Sequence, residues 1–174
     1  MANLTCPSTD LNFLSPTGFI LVIERLPKVS FFAQSVTLPT VSLQSLEQPT
    51  PLSIIEIPSD RLTFGTLSIN FILDEQMNNY MEVFTWMRGL GFPETYPQYT
   101  SENNRGLELT SELQRNYSQA TLLILGSNKQ TVRTVNFYDC FPISLSGFDT
   151  ETTATDIQYV RSTLELQYSY FDIE

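Results

Sequence analysis

A chain of 174 residues is most simply one domain (1–174), and it is long enough to bury a hydrophobic core. Its hydrophobic share of 41% is ordinary for a globular protein, which argues against a disordered or fibrous class. The chain has 19 acidic residues against 9 basic ones and no histidine. Such a surface is not suited to binding nucleic acid, because phosphate binding needs Lys and Arg.

The first 17 residues predict an extended N-terminal arm, because polar and turn residues dominate them. The apolar patch of Leu11, Phe13 and Leu14 is small, and we expect it to pack on a neighbouring molecule or to fold back. The segment lacks the basic and apolar regions of a secretory signal, so the chain is expected to fold in a cytoplasm. No apolar run approaches the roughly 20 residues that a membrane span requires.

Two strands are predicted next. The first is Phe19–Ile23, ended by Pro27, and the second runs from Val29 to Thr37 and is ended by Pro39. Residues 40–60 contain three prolines, which remove donors from a strand ladder. This segment is therefore predicted to be a loop with no more than edge pairing.

The segment 62–73 shows a clear period of two, which is typical of a half-buried strand. Its apolar face carries Leu67, Ile69, Phe71 and Leu73. Its polar face carries Thr66, Ser68 and Asn70.

One helix is predicted at about 75–88, with Asp74 as its N-cap and Gly89 as its C-terminal cap. Apolar side chains recur on one face at helical spacing, and we expect that face to lie on the β-sheet. They are Met77, Tyr80, Met81, Phe84 and Met87.

The second half of the chain is predicted to contain only strands after a long loop at 90–117. A hairpin is formed by 120–125 and 131–138, joined by a turn that begins at Gly126. A short strand follows at 141–145, and a last strand at 160–170 alternates again. In that last strand Leu164, Leu166, Tyr168 and Tyr170 oppose Thr163, Glu165, Gln167 and Ser169. The chain is therefore predicted to be mainly β.

The residues that common enzyme sites need are missing from this sequence. Without histidine there is no Ser-His-Asp arrangement, and with two cysteines there is no zinc site. No glycine-rich loop matches a nucleotide-binding motif. Asp149, Glu151 and Asp156 lack the spacing of a calcium loop. We therefore expect a protein that is not an enzyme and that holds no metal or cofactor.

The two cysteines, Cys6 and Cys140, are interpreted first as free thiols of a cytosolic protein. The alternative is a disulfide between neighbouring copies of an assembly that ends up outside the cell. Cys6 lies on the predicted arm, which could reach Cys140 of a neighbour.

The order of these elements resembles the tail tube proteins of contractile-tailed bacteriophages. The run from Phe31 to Pro39 resembles the family's strand that ends in a Leu-Pro pair. The segment from Leu62 to Trp86 resembles its central strand and helix, and residues 122–125, 135–145 and 157–171 resemble its later strands. No single motif is specific, so the colinear order over most of the chain carries the resemblance.

The resemblance implies a β-sandwich or barrel-like tail-tube fold with one flanking helix. It implies six copies in a ring, rings stacked into a tube inside the sheath, and a lumen through which the genome leaves. The expected partners are other copies of the chain, the tail sheath, a baseplate adaptor and a tail terminator, and DNA is expected to pass without specific binding. The expected location is the virion tail, assembled in the host cytoplasm.

A barrel wall around a wet channel turns polar residues toward the lumen, and the two alternating strands supply such residues. The candidates for the lumen are Thr66, Ser68, Asn70, Thr163, Glu165 and Gln167. Glu165 would repel phosphate. The alternative is the ordinary solvated outer face of a sandwich. The arm at 1–17 and the loop at 40–60 are the candidates for contacts between rings or subunits.

Three further interpretations stay open. A long arm and a long 90–117 connection are compatible with a baseplate-proximal tube initiator or adaptor of the same fold, or with the tube of a related injection machine. A monomeric β-sandwich that binds sugar or protein would need a concave aromatic patch, for which Tyr96, Tyr99 and Tyr117 are the candidates. Carbohydrate hydrolysis by paired carboxylates is a distant third, since no acid sits in a recognisable motif.

Overall fold

The computed structural model describes residues 13–91, 116–151 and 159–174. These residues form nine strands and two helices. In chain order the elements are β1 (Phe19–Ile23), α1 (Pro27–Phe32), β2 (Ala33–Thr37), β3 (Val41–Pro49), β4 (Ile54–Phe64), β5 (Leu67–Ile72), α2 (Asn78–Gly91), β6 (Ser118–Leu125), β7 (Thr131–Leu145), β8 (Arg161–Gln167) and β9 (Tyr170–Ile173).

All strand pairs are antiparallel, and the long strand β7 takes part in two sheets. Its first part, up to Cys140, lies between β6 and β9, and β1 completes this back sheet beyond β6. Its last part, from Phe141, pairs with β8, and β5 and β2 complete the front sheet. Asp139 adopts a φ of 56° at the point where the strand changes sheet. The mainly β architecture expected from the sequence is confirmed.

The hydrophobic core lies between the two sheets. The apolar faces of β5 and β8 are completely buried, as their alternation predicts: Leu67, Ile69, Phe71, Leu164 and Leu166 are all 0% exposed. The back sheet contributes Leu122, Val135 and Phe137. An aromatic cluster joins the sheets near their shared strand, since the ring of Phe137 lies 5.1 Å from Tyr168 and 5.5 Å from Phe171.

The predicted strand Val29–Thr37 is wrong in its first half. Residues 27–32 form the helix α1, with proline in its first turn, where the missing N–H costs nothing. Val29, inside this helix, is completely buried. Only Ala33–Thr37 is a strand. The apolar pattern of residues 29–37 is too short to distinguish a helical turn from a strand.

The predicted helix starts later than expected, and its buried face is a different one. Asn79 is completely buried, and its side-chain amide donates to the C=O of Ile72 at 2.7 Å, which ties the helix to the end of β5. Met77 has a φ of 56°, which no helical residue adopts, so α2 begins after it. The buried residues are Asn79, Val83, Trp86 and Gly89. The predicted methionine–aromatic stripe is therefore wrong as the packing face.

The segment 40–60 is not a loop but most of a long hairpin made of β3 and β4. Its two strands pair only with each other. Pro49 ends β3, and Pro58 lies next to a shift in register between Leu43 and Ser45 on the facing strand, so neither proline interrupts the pairing.

Three strand boundaries also differ from the prediction. The run 62–73 is divided at Gly65 between the hairpin and β5; a Cβ at Gly65 would lie 2.8 Å from Oγ1 of Thr40, so a larger residue there would displace the Thr40 side chain. The run 141–145 is the end of β7 rather than a separate strand. The last run is divided between β8 and β9.

Candidate assembly interface

The front sheet has one polar face, formed by side chains of four strands. Ser68 pairs with Glu165 across β5 and β8, and Asn70 pairs with Thr163. The other predicted members of the face are placed consistently: Thr66 immediately precedes β5, and Gln167 ends β8. The structure therefore brings all six predicted residues together on the side opposite the core.

A hydrogen-bonded row crosses this polar face. The amide of Asn70 donates to Oγ of Ser35 at 2.9 Å, and Oγ1 of Thr163 donates to the Asn70 carbonyl oxygen at 2.6 Å. The row joins β2, β5 and β8 through side chains alone. Since both functional groups of the Asn70 amide are used, the row orients this side chain and stiffens the sheet.

Sequence reasoning missed several residues of the polar face because it could not pair the strands. The register adds residues at the two sheet margins and at the start of β8: Ser35, Thr37, Ser144 and Arg161. Arg161 pairs with Ile72 and lies four residues from Glu165 on the same face. The alternation that assigns Thr163, Glu165 and Gln167 to one face, extended two residues toward the N-terminus, also assigns Arg161 to it.

The two margins of the front sheet are open. Among the described residues, no strand pairs with β2 on the side away from β5, or with residues 141–145 of β7 on the side away from β8. Open edges present unpaired N–H and C=O groups, which can pair with another chain.

Val36 presents its backbone groups to one of these edges. The N–H of Leu73 donates to the C=O of Val160 at 2.9 Å, which continues the ladder in which the odd-numbered residues of β5 bond to β8. The even-numbered residues of β5 therefore bond to β2, where their partners flank Val36. The N–H and C=O of Val36 accordingly point away from β5.

The hairpin β3–β4 projects from the sandwich with apolar side chains on its surface. A strand of nine residues is about 30 Å long, which is comparable to the width of a small domain. Its exposed apolar residues are Val41, Leu43, Leu46, Leu52, Ile54, Ile55, Ile57 and Leu62. Exposed apolar surface of this extent makes the hairpin a candidate for contact with another molecule.

Among the described residues, the tyrosines predicted for a sugar- or protein-binding site do not form one. Tyr117 is 38% exposed and packs edge-on against Phe141 at 5.8 Å, whereas Tyr96 and Tyr99 lie outside the described residues. In the same described ranges, no cluster of three potential metal ligands occurs. No described helix is long and apolar enough to cross a membrane.

Cys140 is completely buried, and the predicted partner Cys6 lies outside the described residues. Burial raises the pKa of the Cys140 thiol to about 12. A protonated, buried thiol reacts slowly with disulfides and alkylating reagents. The disulfide between copies stays a prediction, and it requires this part of β7 to open.

Two buried acids predict how stability depends on pH. Burial raises the pKa of the Tyr168 hydroxyl, like that of Cys140, to about 12, and the hydroxyl donates to the C=O of Gly65 at 2.8 Å. Above about pH 9 an unfolded chain loses protons that the folded chain still holds. The free energy of unfolding should therefore fall as the pH rises from about 9 toward 12.

Urea unfolding between about pH 8 and about pH 11 measures this effect. The variants Cys140→Ala and Tyr168→Phe should each flatten the decline, because each removes one of the two acids. A urea midpoint that does not change over this range would contradict the expectation.

Comparison with known proteins gives the family. A model of the phage tail tube protein family matches residues 9–174. The chain belongs to this family. As a member it is a structural component of a phage tail, so the expectations of a virion tail location and of a non-enzymatic protein are confirmed.

A curated relative of this tail tube family member is the tail tube terminator protein of Enterobacteria phage T4. It is 25% identical over 170 residues, which cover 94% of this chain and 90% of the relative. Among solved structures, the tube-terminating cap of the anti-feeding prophage matches with a TM-score of 0.61 and 11% identity over 99% of both chains. A chain of the anti-feeding prophage baseplate matches with a TM-score of 0.60 and 12% identity over 98% of this chain and 97% of that chain. These structural likenesses show the fold.

Proposed function

We propose that six copies of this chain close into a ring whose front sheets merge into one barrel around a central channel. The observation that carries the proposal is a four-stranded sheet with two open edges and one polar face. An open β2 edge of one copy can pair with the open 141–145 edge of the next. Pairing in this way removes both edges from solvent and repeats around a closed ring.

The polar face then lines the channel. Lumen-facing groups in this proposal are the predicted Thr66, Ser68, Asn70, Thr163, Glu165 and Gln167, together with Ser35, Thr37, Ser144 and Arg161. Hydroxyl and amide groups hydrate such a wall without attracting phosphate. Each copy adds the negative charge of Glu165 and, four residues away along β8, the positive charge of Arg161, so the charged groups of the wall balance. DNA accordingly passes through the ring without specific binding.

The ring is proposed to close the end of the tail tube. The relative from phage T4 is a tube terminator, and the likeness to it extends over almost the whole of both chains. The projecting hairpin β3–β4 supplies an apolar surface on one side of the ring, which suits a contact with the last ring of the tube. The proposed partners are thus other copies of the chain, the tail tube and the surrounding sheath.

A second candidate is the main tube subunit, which the sequence favoured and which shares the family and the fold. The two roles differ in how the rings assemble. Rings of a main tube subunit stack on one another, whereas rings of a terminator stay single until they bind a tube. A baseplate-proximal adaptor of the same fold would bind the opposite end of the tube.

Negative-stain electron microscopy of the purified protein, alone and mixed with tubes of its own phage, tests these roles. Single rings with a central hole, and rings at the head-proximal end of the tubes, are the expected result. Long tubes from the protein alone would favour the main subunit. Monomers under both conditions would contradict the ring and favour a monomeric binding module.

A further inference from the structure

A groove of about 760 Å³ lies between the free edge of β1 and the segment that contains α1 and the start of β2. Its walls are largely apolar. The lining residues include Phe19, Leu21, Ile23, Pro27, Phe31 and Gln34. Ile20 and Val22, on the outer face of β1, are each 47% exposed, and Phe31 is 82% exposed.

The floor of the groove is a strand edge with unpaired backbone groups. The C=O of Gly18 accepts from the N–H of Leu125, and the N–H of Glu24 donates to the C=O of Gln119, so the even-numbered residues of β1 bond to β6. The odd-numbered residues therefore point their N–H and C=O into the groove.

At one end of the groove the structure satisfies these groups itself. The N–H of Ile23 donates to Oγ of Ser30 at 2.9 Å, and the C=O of Ile23 accepts from the N–H of Leu26 at 3.2 Å. Within the described residues, the N–H and C=O groups of Phe19 and Leu21 have no such partner. Four backbone groups on two alternate residues remain, which matches one short added strand.

The chain's own N-terminal segment turns away from this edge. A turn from Ser15 to Gly18 is closed by the N–H of Gly18 and the C=O of Ser15 at 3.5 Å. Gly18 directs its backbone groups toward β6, so the residues before the turn leave β1 on the side of β6. Phe13 and Leu14 are 94% and 62% exposed and pair with no strand among the described residues.

We propose that residues 1–6 of an adjacent copy lie in this groove as an added strand on β1. The inference rests on the proposed ring, which places an adjacent copy beside each groove. The first six residues carry no charged side chain and alternate Ala2, Leu4 and Cys6 with Asn3 and Thr5, a pattern suited to an apolar strand edge. Pro7 ends that pattern, and residues 7–14, before the turn at Ser15, form a tether that spans up to about 26 Å when extended.

A neighbour's hairpin β3–β4 fits the groove less well than this arm. Its two strands already pair with each other along most of their length, and it carries charged residues that include Glu47, Glu56 and Asp60. The unsatisfied edge of β1 needs a strand with free backbone groups. The exchange of arms would also bury the exposed apolar surface of β1 and link each copy to its neighbour.

Photo-crosslinking tests the exchange of arms. Benzoylphenylalanine is placed at position 20, on the outer face of β1, and the assembled full-length protein is irradiated. Denaturing gels should show products of two or more chains, and mass spectrometry should locate the crosslink in residues 1–6 of the second chain. Deletion of residues 2–6 should remove at least nine-tenths of this product.

Val132 provides the matched control, since it is 54% exposed and lies outside the groove; benzoylphenylalanine there should give no crosslink to residues 1–6. A crosslink within one chain, a crosslink to another segment of the neighbour, or no crosslink would each overturn the exchange. Electron microscopy of the same sample before irradiation tests the ring separately. Rings without the crosslink would contradict the exchange of arms but not the ring. The absence of rings would contradict both proposals.

Discussion

Replacing Val36 by proline should abolish ring formation while leaving the subunit folded. Val36 is the residue of β2 whose N–H and C=O point to the open edge of the front sheet. Proline removes that N–H and places its ring where the next copy's strand would approach. A lost hydrogen bond costs about 1 kcal/mol at each interface, and the same loss recurs at every interface of the ring.

Size-exclusion chromatography with light scattering measures the loss of rings, and circular dichroism checks the fold. Val36→Thr is the matched control, because threonine has nearly the shape of valine and keeps the N–H. We expect rings from the threonine variant and monomers from the proline variant, with similar circular dichroism. Rings of normal size from Val36→Pro would show that the β2 edge is not the ring contact.

Replacing Glu165 by lysine should turn a channel that DNA passes freely into one that retains it. Each copy then contributes a positive charge where it contributed a negative one, and the whole ring of charges changes sign at one level of the channel. Single-stranded DNA held by six lysines should show a logarithmic salt dependence with a slope of about four. Wild-type rings should retain no DNA at low salt.

Gel-shift assays of preformed rings over a range of salt concentrations measure this retention. Glu75→Lys is the matched control, because it makes the same change in net charge at an exposed position before α2, away from the polar face. If both variants retain DNA equally, net charge explains the effect and Glu165 does not face the channel. If neither does, the polar face is not the channel wall.

The half-buried strands of the front sheet could be predicted from the sequence because a period of two is a local property. The alternation in 62–73 and 160–170 separates core side chains from polar ones, and burial in the structure follows it from Leu67 to Phe71 and from Leu164 to Leu166. For the same reason all six candidate residues for the lumen could be assigned to one face before their strands were paired.

Helical packing could not be predicted in the same way, because two faces of α2 are apolar. Met81 and Phe84, which belong to the predicted stripe, are 49% and 44% exposed, whereas Val83 and Trp86 on the other face are buried. The choice between the faces depends on Asn79, whose amide bond to Ile72 fixes how the helix leaves β5. A buried asparagine at a helix start is not recognisable without knowing which strand end it contacts.

Composition, alternation and element order thus determined a mainly β chain, the polarity of each strand face and the resemblance to the tail tube proteins. None of these properties depends on strand pairing: alternation is set by neighbours within a few residues, and the resemblance depends only on the order of the elements along the chain. Strand pairing alone decided the row from Ser35 to Thr163, the two open edges of the front sheet and the groove beside β1. The row joins residues as many as 128 positions apart, whose proximity follows from the pairing of strands that are distant along the chain and not from any local pattern.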